Sequence, residues 1–412
     1  MRPDLDAKKW TTPLNLDPRY RDSALMTRLY QARWQGLVSE GYVAAKELAI
    51  HGSSRPIPPG ECAITSLAMG EGWVFGATSG RRAHVFAYCA APAHEVVQEL
   101  AVLEGHAGVR HALAWLPGHG LFAGTAGPSG PHAPGGEVVK LAAPSSSPQL
   151  ASDPQRAVPR MIGSIIQEWN PVLLPPEPLG APVPGEGIAC MIGDPLRGTL
   201  YGLSDRTGTL FSVDAATGRV ETHGAVDELH RFSPELILGP DGAVYGCGTS
   251  GRIVRFMPGA GRFEEMGMAL PALAGRSQYS KVGAWCLDGQ TGRIYAGDVA
   301  DGLLSALDVR TGEVRALGKP TGQPHVRALA VAADGRLYGV AGLRDTVCHL
   351  FCHDPTRGEL RDLGVMTSGS ERRWYGFEFD CAVAGPDGRV YFGESDRISH
   401  LFVYFPPVGS RG

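Results

Sequence analysis

The C-terminal stretch Phe377–Pro406, FEFDCAVAGPDGRVYFGESDRISHLFVYFP, carries the pattern that decides the fold. It consists of an apolar run, a Pro-Asp-Gly turn, a run rich in β-branched and aromatic residues, a polar loop and a third such run. Strands and the turns between them have these compositions. The same order recurs upstream in units that begin at Cys62, His111, Gly187, Glu235, Val282 and Val326. The chain therefore contains seven units of short strands.

An aromatic residue in the second strand of each unit gives the register: Phe75, Phe122, Tyr201, Tyr245, Tyr295, Tyr338 and Tyr391. These residues lie 43 to 53 positions apart, except for one gap of 79 positions between the second and the third. A period of about 40–50 residues with four strands per unit is typical of a β-propeller, whose units stack radially as blades. We interpret the long gap as one blade with an insertion at about residues 128–168, because residues 144–186 are rich in proline. Two blades, one of them eroded, are the alternative.

The last unit indicates how the ring closes. It has three strands and ends at Phe405, whereas the segment 41–52, GYVAAKELAIHG, has the pattern of a fourth strand without three strands of its own. We expect this N-terminal strand to complete the last blade. The sequence thus predicts an all-β fold, a seven-bladed β-propeller of four-stranded blades. One propeller domain would span residues 41–412, after a tail and helix in residues 1–40.

The N-terminal helix is expected from Asp22 to about Val38, where apolar residues recur at helical spacing. It would pack against the propeller or bind a partner. The formal net charge of −4 argues against nucleic acid or a membrane recognised through bulk charge. The chain also has no apolar run long enough for a membrane span and no N-terminal pattern of a signal peptide. Its eight cysteines resemble small buried hydrophobic residues, so we expect a reducing, cytoplasmic location.

Propeller topology places the loops between blades, and those between second and third strands, on one face. In this sequence those loops are long and unlike one another, while the turns of the other face are short and uniform, such as GPDG and DVRTG. Variable loops on a rigid scaffold are the usual place for binding residues. These loops are rich in arginine and histidine, which favours an anionic ligand such as a carboxylate or phosphate. Solvation and pairing with aspartates are the alternative.

Counting back eleven residues from the second-strand aromatic narrows the site. This count reaches His111, Arg327 and Asp380 in three blades. In two other blades the same count reaches Ile64 and Pro234. In the remaining two, whose first turns are taken to be two residues longer, it reaches Ile188 and Val282, so all four positions are apolar or proline. Counting back thirteen reaches His325 and Glu378. Polar residues at the start of first strands are expected at the axial funnel. The alternative is that Arg327 and Asp380 form a structural ion pair between blades.

The candidate residues fall into two groups. The catalytic candidates are His111, His325, Tyr279 and Tyr375. The substrate-binding candidates are Arg110, Arg276, Arg327, Arg372, Glu378, Asp380, His106, His230 and Trp374. No cofactor is predicted. A structural or catalytic metal ion stays open, although the segment Cys348–His353 would place its cysteines and histidines on opposite faces of a strand. The oligomeric state is not predicted.

The repeat, with its Asp-x-x-Thr-Gly turns such as DAATG and DVRTG, resembles the seven-bladed propellers, especially the quinoprotein-like and kelch-like groups. This resemblance covers residues 41–406 and implies the fold but no activity. The histidines, tyrosines and arginines expected at the funnel also resemble those of propeller polysaccharide lyases. Related propeller glycosidases share this likeness. The resemblance implies an enzyme of lyase or hydrolase type acting on an acidic carbohydrate or another anionic small molecule, and for a lyase the reaction would be β-elimination.

Elimination at a uronate requires three groups. An arginine neutralises the carboxylate, for which Arg327 or Arg110 is expected. A base takes the neighbouring C–H proton, and His111 or His325 would serve. An acid protonates the leaving oxygen, a role open to Tyr279 or Tyr375. A non-catalytic propeller that binds proteins or ligands is the alternative function.

Overall fold

The computed structural model describes residues 38–48, 57–89, 96–127, 134–142, 175–225, 233, 235–261, 263–344, 346–369 and 373–407. The helix expected from Asp22 to about Val38, apart from Val38 itself, and most of the insertion lie outside these residues. The division into residues 1–40 and 41–412 therefore stays a prediction. Within the described part of the chain, no helix is both long and apolar enough to span a membrane.

Seven antiparallel sheets of four strands each make up the fold. Blade 1 contains β2 (Ala63–Gly70), β3 (Trp73–Ser79), β4 (Ala83–Cys89) and β5 (Val96–Leu103). Blade 2 contains β6 (Leu113–Leu116), β7 (Gly120–Gly124), β8 (Val138–Leu141) and β9 (Glu177–Gly180). Blade 3 contains β10 (Ile188–Asp194), β11 (Thr199–Ser204), β12 (Thr209–Asp214) and β13 (Val220–Ala225). Blade 4 contains β14 (Ile237–Leu238), β15 (Val244–Cys247), β16 (Arg252–Phe256) and β17 (Phe263–Ala269).

The remaining three blades have the same construction. Blade 5 contains β18 (Val282–Asp288), β19 (Arg293–Asp298), β20 (Leu304–Asp308) and β21 (Glu313–Gly318). Blade 6 contains β22 (Val326–Val331), β23 (Leu337–Ala341), β24 (His349–Asp354) and β25 (Glu359–Val365). Blade 7 contains β26 (Phe379–Ala384), β27 (Val390–Glu394), β28 (His400–Phe405) and, as its outer strand, β1 (Tyr42–Glu47). Two 3₁₀ turns, Thr249–Gly251 and Ser277–Tyr279, complete the regular structure of the described residues.

The ring closes as the sequence predicts. Strand β1 pairs antiparallel with β28 over its whole length, from Tyr42 opposite Phe405 to Glu47 opposite His400. The first strands of neighbouring blades pack against one another around the axis, including those of blades 1 and 7. The seven-bladed propeller with an N-terminal closing strand is therefore confirmed.

The long gap in the repeat is one blade, but its boundaries differ from the prediction. The third strand of blade 2 is β8, which lies inside the range 128–168 assigned to the insertion. The fourth strand is β9, whose pairing with β8 shifts register between Val138 and Val139. The additional residues of this blade therefore lie between its third and fourth strands.

The repeated turn and the repeated aromatic belong to one structural unit. Tyr245, Tyr338 and Tyr391 are buried, and each phenol donates a hydrogen bond to an aspartate four residues earlier. The oxygen–oxygen distances are 2.9, 2.9 and 3.1 Å, to Asp241, Asp334 and Asp387 respectively. Burying a phenol is costly unless its hydroxyl finds a partner, so the aspartate of each Asp-Gly turn satisfies the tyrosine of the next strand. This pairing explains why the two residues recur together.

Candidate functional site

A β-bulge at the start of the first strand builds the axial site. In blades 1, 3, 5, 6 and 7 the pairing of the first strand with the second shifts by one residue. The bulged residues are Thr65, Ala189, Gly283, Arg327 and Asp380. Such bulges re-aim a side chain and are over-represented beside active sites. Here they occupy equivalent positions at the start of the innermost strands, around the opening of the axial funnel, which we call the channel mouth.

These equivalent positions correct part of the register predicted from sequence. In each blade with a bulge, the second-strand aromatic pairs with one residue of the first strand, and the bulged residue lies three positions before that residue. In blade 2, Phe122 pairs with Ala114, and His111 lies three positions before Ala114. Compared with blades 2, 6 and 7, the turn between the first and second strands is one residue shorter in blade 1 and one residue longer in blades 3 and 5. The positions equivalent to His111 in blades 1, 3 and 5 are therefore Thr65, Ala189 and Gly283, and the predicted Ile64, Ile188 and Val282 are wrong by one residue.

Two side chains from blades 2 and 4 meet across the small residue Ala189 of blade 3. Nδ1 of His111 lies 3.3 Å from Oε1 of Glu235, and the two side chains are 22% and 12% exposed. His111 has a backbone φ of 45°, in the left-handed region that residues other than glycine rarely adopt. Hydrogen bonds hold this conformation, since its N–H donates to the carbonyl of Thr65 and its carbonyl accepts from the N–H of Met191, both at 2.9 Å. Backbone strain of this kind clusters at functional sites.

The surroundings favour neutral forms of both groups. Burial lowers the pKa of His111 below its ordinary value, and the positive charge of Arg110 lowers it further, although the charge of Asp380 opposes them. Burial, reinforced by the charge of Asp380, raises the pKa of Glu235 well above the usual range of a carboxyl group, against the opposing backbone N–H of Trp285. A neutral imidazole beside a protonated carboxylic acid is a base and an acid in direct contact. Opposed pKa shifts in one cleft are a mark of acid–base sites.

Across the channel mouth, Arg327 and Asp380 form the ion pair that the sequence analysis left as an alternative. The guanidinium Nη1 lies 3.6 Å from Oδ1 of Asp380, and the side chains are 17% and 28% exposed. The Nε atom of Arg327 also donates to the carbonyl of Gly342 at 3.3 Å. This pair ties blade 6 to blade 7. We call His111, Glu235, Arg327 and Asp380 the polar quartet.

His325 lies beside the quartet, next to the bulged glycine of blade 5. A Cβ atom on Gly283 would lie 3.1 Å from Nε2 of His325 and 2.6 Å from the carbonyl of Val326. The glycine therefore gives the imidazole its space. Burial lowers the pKa of His325 to about 3, with a further contribution from the charge of Arg327, so this imidazole is neutral at physiological pH.

Most arginines around the funnel have a carboxylate partner. Arg81 and Arg82 share Glu61, Arg206 faces Glu186, Arg276 pairs with Asp301, and Arg344 pairs with Glu378. Arg110 is exposed and has no ion-pair partner among the described residues. It stands next to His111 in the chain. Its positive charge acts on His111, whose pKa it lowers.

The other predicted residues lie outside the quartet. Trp374 is buried and packs on His400 with ring centroids 4.0 Å apart, and Tyr375 is also buried. Tyr279 is 57% exposed, and Arg276 lies over its ring at 5.6 Å. Nε2 of His106 lies 3.1 Å from Oε1 of Glu137. His230 and Arg372 fall outside the described residues.

Sequence reasoning missed Glu235. The register count reached its neighbour Pro234, which stands three positions before Ile237, the partner of Tyr245, and Glu235 is the next residue along the chain. A carboxylate one position from the expected place was the available signal. No group of three or more histidine, cysteine, aspartate or glutamate side chains in the described ranges could hold a metal ion.

A separate cavity lies on the opposite face, between blades 3 and 4. Its volume is about 550 Å³, and its lining includes Ser212, Asp214, Arg219, Glu221 and His223. Nε2 of His223 lies 2.8 Å from Oγ of Ser212. The quartet does not contribute to this cavity.

Comparison with known proteins shows similarity in fold. No family model and no curated protein matches the chain. Among solved structures, a streptogramin B lyase is 13% identical, with a TM-score of 0.62 over 90% of this chain and 100% of that one. The protein is a seven-bladed β-propeller. The propeller is also similar to the extracellular domain of a protein described as a one component system from B. thetaiotaomicron, at 11% identity, over 89% of this chain and 40% of that one, with a TM-score of 0.55.

The WD40 propeller domain of Doa1 is likewise similar, with 11% identity, a TM-score of 0.53 and coverage of 87% of this chain and 97% of that one. These three proteins differ in what their names describe. At identities this low, the likeness shows the fold alone. Function therefore has to be argued from the side chains of the propeller itself.

Proposed function

We propose that this propeller is an enzyme that cleaves an acidic carbohydrate, or another anionic small molecule, by β-elimination at the polar quartet. The contact between His111 and Glu235 is the observation that carries the proposal. It joins, at the mouth of the channel, an imidazole whose pKa is lowered by burial to a carboxyl group whose pKa is raised by burial, so the surroundings favour the neutral form of each. Elimination needs both in one turnover, because one proton leaves carbon and another joins the leaving oxygen.

The roles follow from the contacts of each side chain. Nδ1 of His111 faces Glu235 and, in this role, carries the single proton of the neutral imidazole, which leaves Nε2 to accept the proton on the carbon next to the carboxylate. Glu235 donates its proton to the leaving oxygen, the acid role that the sequence had assigned to Tyr279 or Tyr375. Arg110 is exposed beside His111 and holds the substrate carboxylate, because its charge has no partner among the described side chains. The ion pair of Arg327 and Asp380 orders the opposite side of the site.

The strained backbone of His111 is a second support. A residue other than glycine in the left-handed region costs of order 1–3 kcal/mol, which persists only where the surrounding structure imposes it. Hydrogen bonds from blades 1 and 3 impose it here. The name of the similar streptogramin B lyase agrees with elimination chemistry on this fold, although it adds nothing about the substrate.

A non-catalytic binding platform is the second candidate, because most cations around the funnel are paired with carboxylates. Because these arginines are already paired with carboxylates, this face of the propeller would suit a large partner that carries little net charge. The experiment that separates the two candidates is incubation with polymeric uronates, read by the absorbance of the unsaturated product. Formation of this product that is lost in His111→Gln supports the enzyme. Binding of uronates without product supports the platform.

We also propose a cytoplasmic location. All eight cysteines are free thiols in the structure, and six of them are buried. Such thiols survive in a reducing compartment. Localisation of the tagged protein by cell fractionation tests this proposal.

A further inference from the structure

The geometry points to syn elimination, and hence to a substrate whose 4-linked uronate carries H5 and O4 on the same face of the sugar ring, as in D-glucuronate and D-mannuronate. This inference rests on the proposed function and adds the substrate class to it. Its basis is the 3.3 Å contact between Nδ1 of His111 and Oε1 of Glu235.

An acid and a base in contact can serve only one face of a sugar. Groups that act from opposite faces of a sugar ring need room for the ring between them, and even the catalytic carboxyl groups that flank the scissile bond of glycosidases are roughly 5–9.5 Å apart. The 3.3 Å contact between Nδ1 and Oε1 leaves no room for a ring between the two side chains. Both groups must therefore approach the ring from the same side, where each needs a reacting atom within about 3–3.5 Å.

The arrangement of the neighbouring blades gives the same result. His111 belongs to blade 2 and Glu235 to blade 4, and the equivalent residue of blade 3 between them is Ala189, which is too small to separate them. On the far side of the mouth stand Arg327 and Asp380, which bind each other. Within the quartet, the acid and the base thus lie side by side on one side of the channel mouth, and the other side holds the ion pair of Arg327 and Asp380.

The reaction balances without a further reagent. Nε2 of His111 takes H5 from the uronate, and the electrons of that C–H bond form the C4=C5 double bond. The C4–O4 bond breaks, and O4 takes the proton of Glu235 and leaves as a hydroxyl group. The imidazolium then releases its Nε2 proton to solvent and the carboxylate takes up a proton from solvent, which restores the neutral pair with the imidazole proton on Nδ1.

Stereochemistry then selects the substrate. In D-glucuronate and D-mannuronate, H5 and O4 are on the same face of the ring. Inversion at C4 gives D-galacturonate, and inversion of D-mannuronate at C5 gives L-guluronate; both place H5 and O4 on opposite faces. These sugars form two matched pairs that differ at a single carbon. The contact between His111 and Glu235 fits the first member of each pair.

The test uses four 1,4-linked polymers: polyglucuronate, polygalacturonate, polymannuronate and polyguluronate. The full-length protein is incubated with each, and the C4=C5 product is followed by its absorbance. We expect product from polyglucuronate or polymannuronate and none from the other two. Product from polygalacturonate or polyguluronate would overturn syn elimination while leaving the proposed function in place. Absence of product from all four would overturn the uronate form of the proposed function, and this inference with it.

Two variants, Glu235→Gln and His111→Gln, each with a matched control, test whether formation of the product depends on the contact between His111 and Glu235. Glu235→Gln should lose at least about a hundredfold in turnover, in line with removal of a general acid. Glu265→Gln, in the same blade but 68% exposed and paired with Arg252, is its matched control and should keep full turnover. His119→Gln on the opposite face of blade 2 is the control for His111→Gln. Full turnover in a folded Glu235→Gln protein would place the acid elsewhere and overturn the same-face assignment.

Discussion

Tyr42, at the start of the first strand, is the cross-strand partner of Phe405 at the end of the last, and their ring centroids lie 5.9 Å apart. The two ends of the described chain are therefore joined in one sheet. Neighbouring contacts strengthen this junction, since the phenol of Tyr404 donates to the carbonyl of Glu40 and the N–H of Gly369 donates to the carbonyl of Val43. The N-terminal strand thus connects blade 7 with the loop that leaves blade 6.

Deletion of residues 1–52 should destabilise the propeller, because it removes β1 and leaves β28 as an unpaired edge. We expect aggregation and a lower melting temperature, measured by light scattering and thermal unfolding. Deletion of residues 1–20, which leaves β1 intact, is the control and should change little. A soluble 53–412 protein with an unchanged melting transition would contradict the closing role of β1.

The fold was predictable because its signals repeat. A pattern of Asp-Gly turn followed by a tyrosine appears in several blades, and the buried Tyr391–Asp387 hydrogen bond explains why the sequence repeats it. Closure was predictable because a three-stranded unit and an unpaired strand pattern occur at opposite ends. The limits of the insertion were not predictable. Strand β8 has only four residues between glycine- and proline-rich segments, so its pattern is short.

The candidate site was predictable only where turn lengths agree. In blades 2, 6 and 7 the count from the aromatic reaches His111, Arg327 and Asp380 directly, because their first turns have equal length. In blades 1, 3 and 5 a turn longer or shorter by one residue moves the position, and a shift of one residue exchanges the two faces of a strand. Glu235 was missed for a different reason, since it lies one position after Pro234, the residue that the count reaches in blade 4. Pairing of the arginines depends on loop conformation, which sequence patterns do not specify.

A buried cluster in blade 1 should make stability depend on pH. The imidazole of His84 lies between Oε1 of Glu99 at 2.8 Å and Oε2 of Glu61 at 3.0 Å, and Arg82 also contacts Glu61. Although burial opposes it, hydrogen bonds to the two carboxylates raise the pKa of His84 above 6.5. Hydrogen bonds from His84 and Arg82 hold the pKa of Glu61 below 4.5 despite its burial.

The raised pKa of His84 stabilises the fold below pH 6.5, and this contribution is lost as the pH rises through the raised value. The lowered pKa of Glu61 stabilises the fold above pH 4.5, and its contribution is lost as the pH falls through the lowered value. Replacement of His84 with Gln should therefore cost most between pH 4.5 and 6.5, and less at alkaline pH. Urea unfolding of both proteins across this range measures the difference. A cost that does not change with pH would show that His84 is neutral in the fold.

Arg110→Ala and Arg327→Ala should separate ligand binding from stability. Loss of Arg110 should weaken an anionic ligand by about 1.5–3 kcal/mol, the usual contribution of a charged hydrogen bond, without changing the melting temperature, because its side chain is exposed. Loss of Arg327 should lower the melting temperature, because it leaves Asp380 without its partner. Calorimetric titration with oligouronates and thermal unfolding measure the two effects. Equal effects of both variants on ligand affinity, with no change in melting, would assign Arg327 to binding as well.

The pH dependence of turnover should identify the acid and the base. Activity requires neutral His111 and protonated Glu235, so it should fall as the pH drops through the lowered pKa of His111 and again as the pH rises through the raised pKa of Glu235. In the plot of turnover against pH, the fall on the acid side (the acid limb) then lies below pH 6.5, and the fall on the alkaline side (the basic limb) lies well above pH 4.5. Because the two groups are in contact, the limbs describe the pair as a unit.

The variant Asp380→Asn tests the origin of these limbs. The charge of Asp380 raises the pKa of both His111 and Glu235, so its removal should move both limbs to lower pH. His111→Gln should instead lower turnover by about 10²–10⁴-fold at every pH while changing affinity little, because glutamine keeps a polar group but accepts no proton. Initial rates from pH 4 to 10, about the span of the two limbs and their plateau, measure both effects. If the limbs of Asp380→Asn coincide with those of the unaltered protein, the titrating groups lie outside the quartet.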